Sequence, residues 1–143
     1  MYQPHKRVLK TRPDPSVRLW PSHPFPRRKN SVPDDLMAQI RKGTTAWIVL
    51  ATLEQHGELY GYGLRREVWV TSRGLFPMTE GALYPSLKTM ERRRWVTSRC
   101  AEVGGRDRRY YRISARGRQV LGRYRREWQL LSSVLDALGC RHA

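Results

Sequence analysis

Three arginines stand close together at positions 106, 108 and 109, immediately after the pair Gly104-Gly105. Adjacent glycines favour a tight turn because a residue without a Cβ adopts positive φ without a steric clash. The strand-like run 110–113 follows, so the arginines are expected at the tip of a β-hairpin. A guanidinium at an exposed tip is well suited to contact phosphate oxygens. The segment therefore predicts a basic wing that contacts nucleic acid.

A second candidate contact surface lies upstream, on a helix predicted to begin at Thr79. Its hydroxyl can cap the helix, and Glu80 would place a carboxylate at the positive end of the helix dipole. Tyr84 and Lys88 fall on or beside the side opposite the apolar residues, where a helix in the major groove presents its side chains to base edges. The alternative interpretation is that Tyr84 is half-buried packing and Lys88 an ordinary solvated charge.

The elements that must position these residues follow from apolar periodicity and turn signals. We predict helices over 34–55, 61–72, from 79 onward and over 114–138, with strands over 95–103 and 108–113. Arg94 stands where a helix usually ends on glycine, so a strained junction is expected there. This order predicts a mostly α fold with a small β wing, a winged helix-turn-helix domain over 34–113 and a C-terminal dimerisation helix over 114–139.

The last helix carries apolar residues at spacings of 3, 4, 3, 4 and 3, which form a heptad seam. The stripe is roughly 27 Å long at 1.5 Å per residue. A small head cannot cover a stripe of this length, which favours self-pairing into a homodimer. The alternative is that part of it folds back onto the first helix. The seam consists of Leu121, Tyr124, Trp128, Leu131, Leu135 and Leu138.

The overall charge agrees with a nucleic-acid partner. The chain has 143 residues, with 28 Lys and Arg against 12 Asp and Glu, a formal net charge of +16. A basic domain is the usual electrostatic footprint of DNA binding, although a solvated arginine-rich surface or a membrane surface would also attract such a charge. The apolar helices resemble core helices, which disfavours the membrane.

Other classes of protein are disfavoured by what the sequence lacks. The longest apolar run, 46–51, is too short to span a bilayer, and the first residues contain no apolar signal segment. Cys100 and Cys140 are too few for a disulfide framework, and no Cys/His spacing suits a metal. We find no nucleophile–base pairing and no phosphate loop. We therefore expect a cytoplasmic protein that is not an enzyme and has no cofactor, metal site or membrane partner.

Residues 1–33 hold seven of the nine prolines and show no apolar periodicity. This composition predicts a disordered, basic, Pro-rich tail. One interpretation is an arm that lies along a DNA groove, and the other is an extension without a function.

Taken together, these motifs resemble the PadR family of bacterial transcriptional regulators, and more closely its short-C-terminal subgroup. The resemblance covers about residues 36–139. It implies a winged helix-turn-helix dimer that represses by occupying a pseudo-palindromic operator on double-stranded DNA. The residues that carry it are Lys42-Gly43-Thr44, Tyr60-Gly61-Tyr62 and the runs 81–88, 105–112 and 114–117.

The resemblance also implies roles for individual residues. Tyr62 would contact a phosphate. The reading surface would comprise Thr79, Tyr84 and Lys88, and the wing would grip DNA through Arg106, Arg108 and Arg109. The sequence departs from the family pattern where Glu80, Ala82 and Arg94 replace a frequent proline, threonine and glycine, which puts the operator sequence in doubt more than DNA binding.

Some members of the family bind small aromatic molecules between the last helices of the dimer. Trp128 occupies the corresponding position, and Ile40 and Trp47 are candidates to line such an effector site. The alternative is that Trp128 is plain dimer packing.

A different class of function also remains open: a winged-helix protein-interaction or RNA-binding module, which would show weak salt dependence and no preferred duplex sequence.

Overall fold

The structure is a computed structural model that describes residues 34–139, and these form four helices and one antiparallel sheet. The predictions for the tail 1–33 and for Cys140 lie outside the described residues. The sheet order is β1-β3-β2, and the mostly α fold with a small β wing is confirmed. The elements are α1 (Asp34–His56), β1 (Glu58–Tyr60), α2 (Gly61–Thr71), α3 (Glu80–Arg92), β2 (Val96–Val103), β3 (Arg106–Ile113) and α4 (Ala115–Ala137).

One apolar core joins all four helices to the base of the sheet. Each helix contributes the residues that its 3.6-residue period places on one face, and the strands contribute alternate residues. Burial of these side chains is the main stabilising term of the head. The core consists of Val49, Leu50, Leu53, Leu64, Val68, Met78, Leu83, Leu87, Met90, Val96, Tyr111, Ile113 and Leu121.

The sheet differs from the prediction in two places. The residues of β1 were not predicted to form a strand, but they pair with β3, with Leu59 opposite Tyr111. A three-residue strand carries almost no local signal, and its partner lies about fifty residues further along the chain. The wing turn is also tighter than expected, because Gly104 and Gly105 (φ +59° and +76°) form it alone and Arg106 already pairs with Val103.

The junction between α3 and β2 is strained, as expected. Arg94 adopts φ +59°, a left-handed conformation that costs a residue with a Cβ about 1–2 kcal/mol. The Ser114 hydroxyl donates to the Arg94 carbonyl oxygen at 2.6 Å and accepts from Gly117 N at 3.0 Å, so it also caps α4. The start of α4 is thereby bonded to the strained junction.

Gly117 sets how closely α4 approaches the base of the wing. A Cβ at this position would overlap the carbonyl oxygen of Trp95 and the side chain of Ile113. Only glycine allows the helix backbone to lie this near the strand, since any larger residue would push the two apart. The direction in which α4 leaves the head is therefore fixed by a backbone contact.

The wing is held against α3 by one polar cluster. A terminal nitrogen of Arg109 donates to both carboxylate oxygens of Glu91 at 2.8 Å, and Arg109 Nε donates to the Ser98 hydroxyl at 2.9 Å. Ser98 in turn donates to Glu91. This hydrogen bond, followed by the Arg109 guanidinium, holds the pKa of Glu91 below its ordinary value of 4.5 although burial opposes the shift. The same pairing raises the pKa of Arg109.

We predict that Glu91→Gln destabilises the protein at neutral pH by about 0.2–1 kcal/mol, the range for partly exposed ion pairs. The folded pKa is lowered, so the stabilisation is complete above 4.5 and is lost as the pH falls through the folded pKa. Urea unfolding followed by circular dichroism should therefore give the variant a lower free energy of unfolding than the parent at about pH 7 and the same free energy at about pH 3. Glu102→Gln, an exposed carboxylate on β2, is the matched control. If the difference in free energy of unfolding between variant and parent stayed constant with pH, Glu91 would not act through its charge.

Candidate nucleic-acid interface

The outer side of α3 presents the predicted reading residues to solvent. Lys88 is exposed, and the Tyr84 side chain is 45% exposed. Arg92 extends the same stripe one turn further, because it follows Lys88 by four residues on the helix. Our sequence reasoning missed Arg92, although continuing the helical period would have found it.

Tyr84 also joins α3 to the start of α2. Its ring and hydroxyl lie over Gly61, so closely that a Cβ on Gly61 would overlap the Tyr84 hydroxyl. Tyr84 is therefore half-buried packing, as the alternative interpretation expected, and the part of the ring that faces solvent remains accessible to a ligand. The contact also brings α3 close to Tyr62, the residue that follows Gly61.

The negative charge of Glu80 is offset by an arginine of α2. Arg65 donates to Glu80 at 3.1 Å and, through Nε, to the Met78 carbonyl oxygen at 2.9 Å. Arg65 is thereby bonded to the loop before α3 and to its first residue. Thr79 accepts from Ala82 N at 3.2 Å, which confirms the N-cap and leaves the hydroxyl proton of Thr79 available as a donor.

The three wing arginines do not form one cluster, because successive residues of β3 point to opposite faces of the sheet, which places Arg109 on the face away from Arg106 and Arg108. Arg106 lies beside the glycine turn and is exposed. The Arg108 guanidinium lies over the Tyr60 ring, 4.6 Å from its centroid. Arg109 is on the other face, bonded to Glu91. The geometry thus separates an exposed cation, a stacked cation and a cation that holds the wing in place.

The outer face of the sheet is a row of aromatic rings and arginines that the sequence did not reveal. Tyr60 packs against Tyr62 and Tyr110, with centroids 6.1 and 5.7 Å apart. The Arg99 guanidinium lies 5.2 Å from the Tyr110 centroid. Through Tyr60, the predicted phosphate contact Tyr62 is connected to the wing.

One carboxylate neutralises part of this row. Arg99 Nε donates to Glu58 at 3.0 Å, and Arg112 lies 3.8 Å from the same carboxylate. The hydrogen bond from Arg99 lowers the pKa of Glu58, so this group stays ionised. Arg106 and Arg108 form no ion pair with a carboxylate among residues 34–139, although Glu102 and Asp107 lie opposite each other on the same hairpin.

The first half of the α4 seam folds back onto α1. Leu121 has no exposed surface, so it belongs to the core of its own chain and is out of reach of a second one. Trp47 stacks on Tyr124 at 6.3 Å and contacts Trp128 at 5.6 Å. Arg125 donates to Glu54 at 2.6 Å, which closes the same contact between the helices.

The second half of the seam is uncovered, together with apolar residues that the heptad did not include. Half of the Trp128 side chain and 74% of that of Leu138 are exposed. Leu130 and Val134 widen the stripe, although a strict 3,4 spacing excludes them. The uncovered apolar surface on α1 and α4 consists of Leu36, Ile40, Trp128, Leu130, Leu131, Val134, Leu135 and Leu138.

Two further features bear on the class of site. Within residues 34–139, no set of His, Cys, Asp and Glu side chains is arranged to hold a metal ion. In the same part of the chain, none of the helices combines the length and the apolar character needed to cross a bilayer.

Solved structures share this arrangement. A transcriptional regulator from Clostridium thermocellum is 25% identical, with a TM-score of 0.65 over 69% of this chain and 96% of that one. A PadR family transcriptional regulator from Eggerthella lenta is 27% identical, with a TM-score of 0.64 over 73% and 88%. A PadR-like transcriptional regulator from Bacillus cereus is 26% identical, with a TM-score of 0.60 over 73% and 99%.

The sequence comparisons agree with the structural ones. An uncharacterised protein from Lysinibacillus sphaericus is 27% identical over 78 residues, which cover 54% of this chain and 72% of that protein. The model of the transcriptional regulator PadR-like family matches residues 49–123, which is more than half of the chain. The family and the solved neighbours are transcriptional regulators rather than enzymes. The chain therefore belongs to the PadR-like family of transcriptional regulators.

Proposed function

We propose that this protein is a cytoplasmic, dimeric repressor that binds a pseudo-palindromic operator on double-stranded DNA. The observation that carries the proposal is the position of Lys88 and Arg106. Both are exposed cations without a carboxylate partner within residues 34–139. They lie on α3 and on the wing, two elements that the Glu91–Arg109 pair holds together. A reading helix and a phosphate-binding wing are thus presented as one rigid unit.

The contacts would divide between phosphate and base. Arg106 and Arg108 at the wing, with Tyr62 and the free proton of Thr79, suit phosphate oxygens. Lys88 and the exposed edge of Tyr84 suit base edges in the major groove. Arg109 is a positioning residue here, because its guanidinium is already bonded to Glu91 and Ser98.

The uncovered apolar surface on α1 and α4 supports the dimer. It includes four seam residues, Trp128, Leu131, Leu135 and Leu138, and a patch of this kind signals a partner. A second copy of the chain would bury the same surface around a twofold axis. Two heads would then hold two half-sites about one helical turn or a multiple apart, and occupation of such a site represses transcription when it overlaps a promoter.

An aromatic effector would have to use the exposed side of Trp128. Trp47 is already covered by Tyr124 and Trp128 of its own chain, so it would form the back of such a slot. Ile40 is exposed beside the same surface. For the ligand to release DNA, it must favour a dimer whose heads are wrongly spaced for the operator.

For DNA binding, we predict that Arg106→Ala/Arg108→Ala weakens binding to all duplexes alike. Each lost phosphate contact should flatten the log–log salt slope by roughly one unit. The measurement is fluorescence anisotropy with a random-sequence duplex at several salt concentrations. Lys88→Ala should instead change the sequences that the protein selects from a random duplex library.

Arg118→Ala is the matched control for the wing variant, since it removes an exposed cation of α4. If the wing variant kept the parent's salt slope, the wing would not lie on DNA. A parent protein with weak salt dependence and no selected duplex would favour the protein-interaction or RNA-binding alternative.

For assembly, we predict that Leu131→Glu/Leu135→Glu sediments as a monomer of about 16.8 kDa and loses operator affinity, because two carboxylates cannot be buried in an apolar interface. Gln129→Glu/Ser133→Glu adds the same charge on the same helix outside the apolar surface and should remain dimeric. A dimer of the first variant in analytical ultracentrifugation would contradict the assignment.

For the effector, we predict that planar aromatic acids or cationic dyes quench tryptophan emission, and that Trp128→Ala weakens their binding. Loss of a stacking contact worth about 0.5–1.5 kcal/mol corresponds to a roughly 2- to 10-fold change in affinity. Trp128→Ala also serves as the control, because the other tryptophans of the chain emit as well. Quenching that is unchanged in Trp128→Ala would assign Trp128 to ordinary dimer packing.

A further inference from the structure

A polar groove lies between the base of the wing and the first half of α4, separate from the surface proposed to contact DNA. Its volume is about 520 Å³. Trp95 and Val120 form an apolar part, and the remaining lining is Arg116, Gln119 and Arg123. The guanidinium of Arg93 lies 5.0 Å from the centroid of the Trp95 ring. The groove therefore combines one aromatic ring with two arginines, and a third arginine lies over the ring at its edge.

The charge of this groove is not neutralised within the part of the chain that the structure describes. Arg65, Arg99, Arg109 and Arg125 each form an ion pair with a glutamate. Arg93, Arg116 and Arg123 have no carboxylate within 4.0 Å among residues 34–139. The groove arginines therefore differ from those that hold the fold together.

The stability of the fold does not explain why these positions carry arginine. Arg116 is the second residue of α4 and stands at the positive end of the helix dipole, where a cation is unfavourable. The neighbouring Arg94 has a left-handed backbone φ, a conformation that glycine would adopt without strain. Two positions beside the groove thus carry arginine at a cost to stability.

The walls of the groove are fixed before any ligand arrives. Ser114 N and its hydroxyl both donate to the Trp95 carbonyl oxygen at 2.9 Å. Gly117 lies directly against the same oxygen. The aromatic floor and the α4 wall therefore cannot move independently, and a preorganised site loses less conformational entropy on binding.

The groove lies at the far ends of the elements assigned to DNA. Trp95 precedes the eight residues of β2, so about 25 Å of strand separates it from the wing turn. The thirteen residues of α3 place its last turn about 20 Å from the cap at Thr79. A duplex held by the wing tip and by Tyr84 and Lys88 on α3 would leave the groove beyond the last turn of the helix, where Arg92 ends the exposed stripe.

We propose that this groove binds an acidic, aromatic-containing peptide segment of another protein, while the opposite end of the head holds DNA. Carboxylates of the peptide would pair with Arg116 and Arg123, and an apolar side chain would pack on Trp95 and Val120. The tail 1–33 of the chain itself does not suit the groove, because it carries eight Lys and Arg against one Asp. The groove makes the protein an adaptor between DNA and a second protein.

The test uses the full-length protein and a fluorescein-labelled peptide of repeated Asp-Phe-Glu-Leu units, with Asn-Phe-Gln-Leu repeats as the uncharged probe. Fluorescence polarisation should show binding of the acidic probe, and Arg116→Glu/Arg123→Glu should weaken it about tenfold or more. Lys42→Glu/Arg118→Glu changes the charge by the same amount outside the groove and should weaken it less than about twofold. The uncharged probe should bind weakly to all three proteins.

Three results would overturn the proposal. Equal losses of peptide affinity in both double variants would show that the acidic peptide is attracted to the basic protein in general and not to the groove. A larger loss of duplex affinity in the groove variant than in its control would assign the groove to DNA. A change in sedimentation of the groove variant alone would place the groove between two copies of the chain. If the parent protein bound the peptide but no duplex, the DNA-binding proposal would be refuted and the peptide-binding proposal would still hold.

Discussion

The structure depends on how a strongly basic chain distributes its few carboxylates. With 12 acidic residues against 28 basic ones, more than half of the basic side chains cannot each have a carboxylate partner of their own. The glutamates that are paired lie where two elements meet. Glu54–Arg125 joins α1 to α4, Glu80–Arg65 joins α3 to α2, and Glu91–Arg109 joins α3 to the wing. The apolar core supplies the stability, and these pairs set the angles between the elements.

This distribution sorts the arginines into two groups. Those bonded to a glutamate are part of the scaffold, and replacing one of them would disturb the position of the elements as well as the surface charge. Arg106 at the wing and Arg116 and Arg123 on α4 have no carboxylate partner within residues 34–139, so their charge is available to a ligand. Arg106 lies at the wing turn, whereas Arg116 and Arg123 line the groove at the base of the wing, and this separation is the basis for proposing two different partners.

The fold and much of the candidate surface could be predicted because their signals are local. The cap at Thr79, the buried face with Leu83 and Leu87, the glycine turn and the strain at Arg94 each depend on a few neighbouring residues. The strand β1 could not be predicted, since three residues become a strand only through pairing with β3. Leu130 and Val134 were missed because the heptad describes one seam and the surface is wider than that seam.

The sequence by itself determined the family, the order of the elements and which residues carry positive charge, because these follow from residue type and spacing. Only the tertiary structure decided which charges remain free. Glu91 meets Arg109 across 18 residues and Glu54 meets Arg125 across 71, and neither pairing leaves a periodic trace in the sequence. The alternation of β3 then separates Arg108 from Arg109, which are adjacent in sequence but lie on opposite faces of the wing. Burial of Leu121 in its own head likewise divides the heptad seam, because α1 covers only the part of α4 that it reaches.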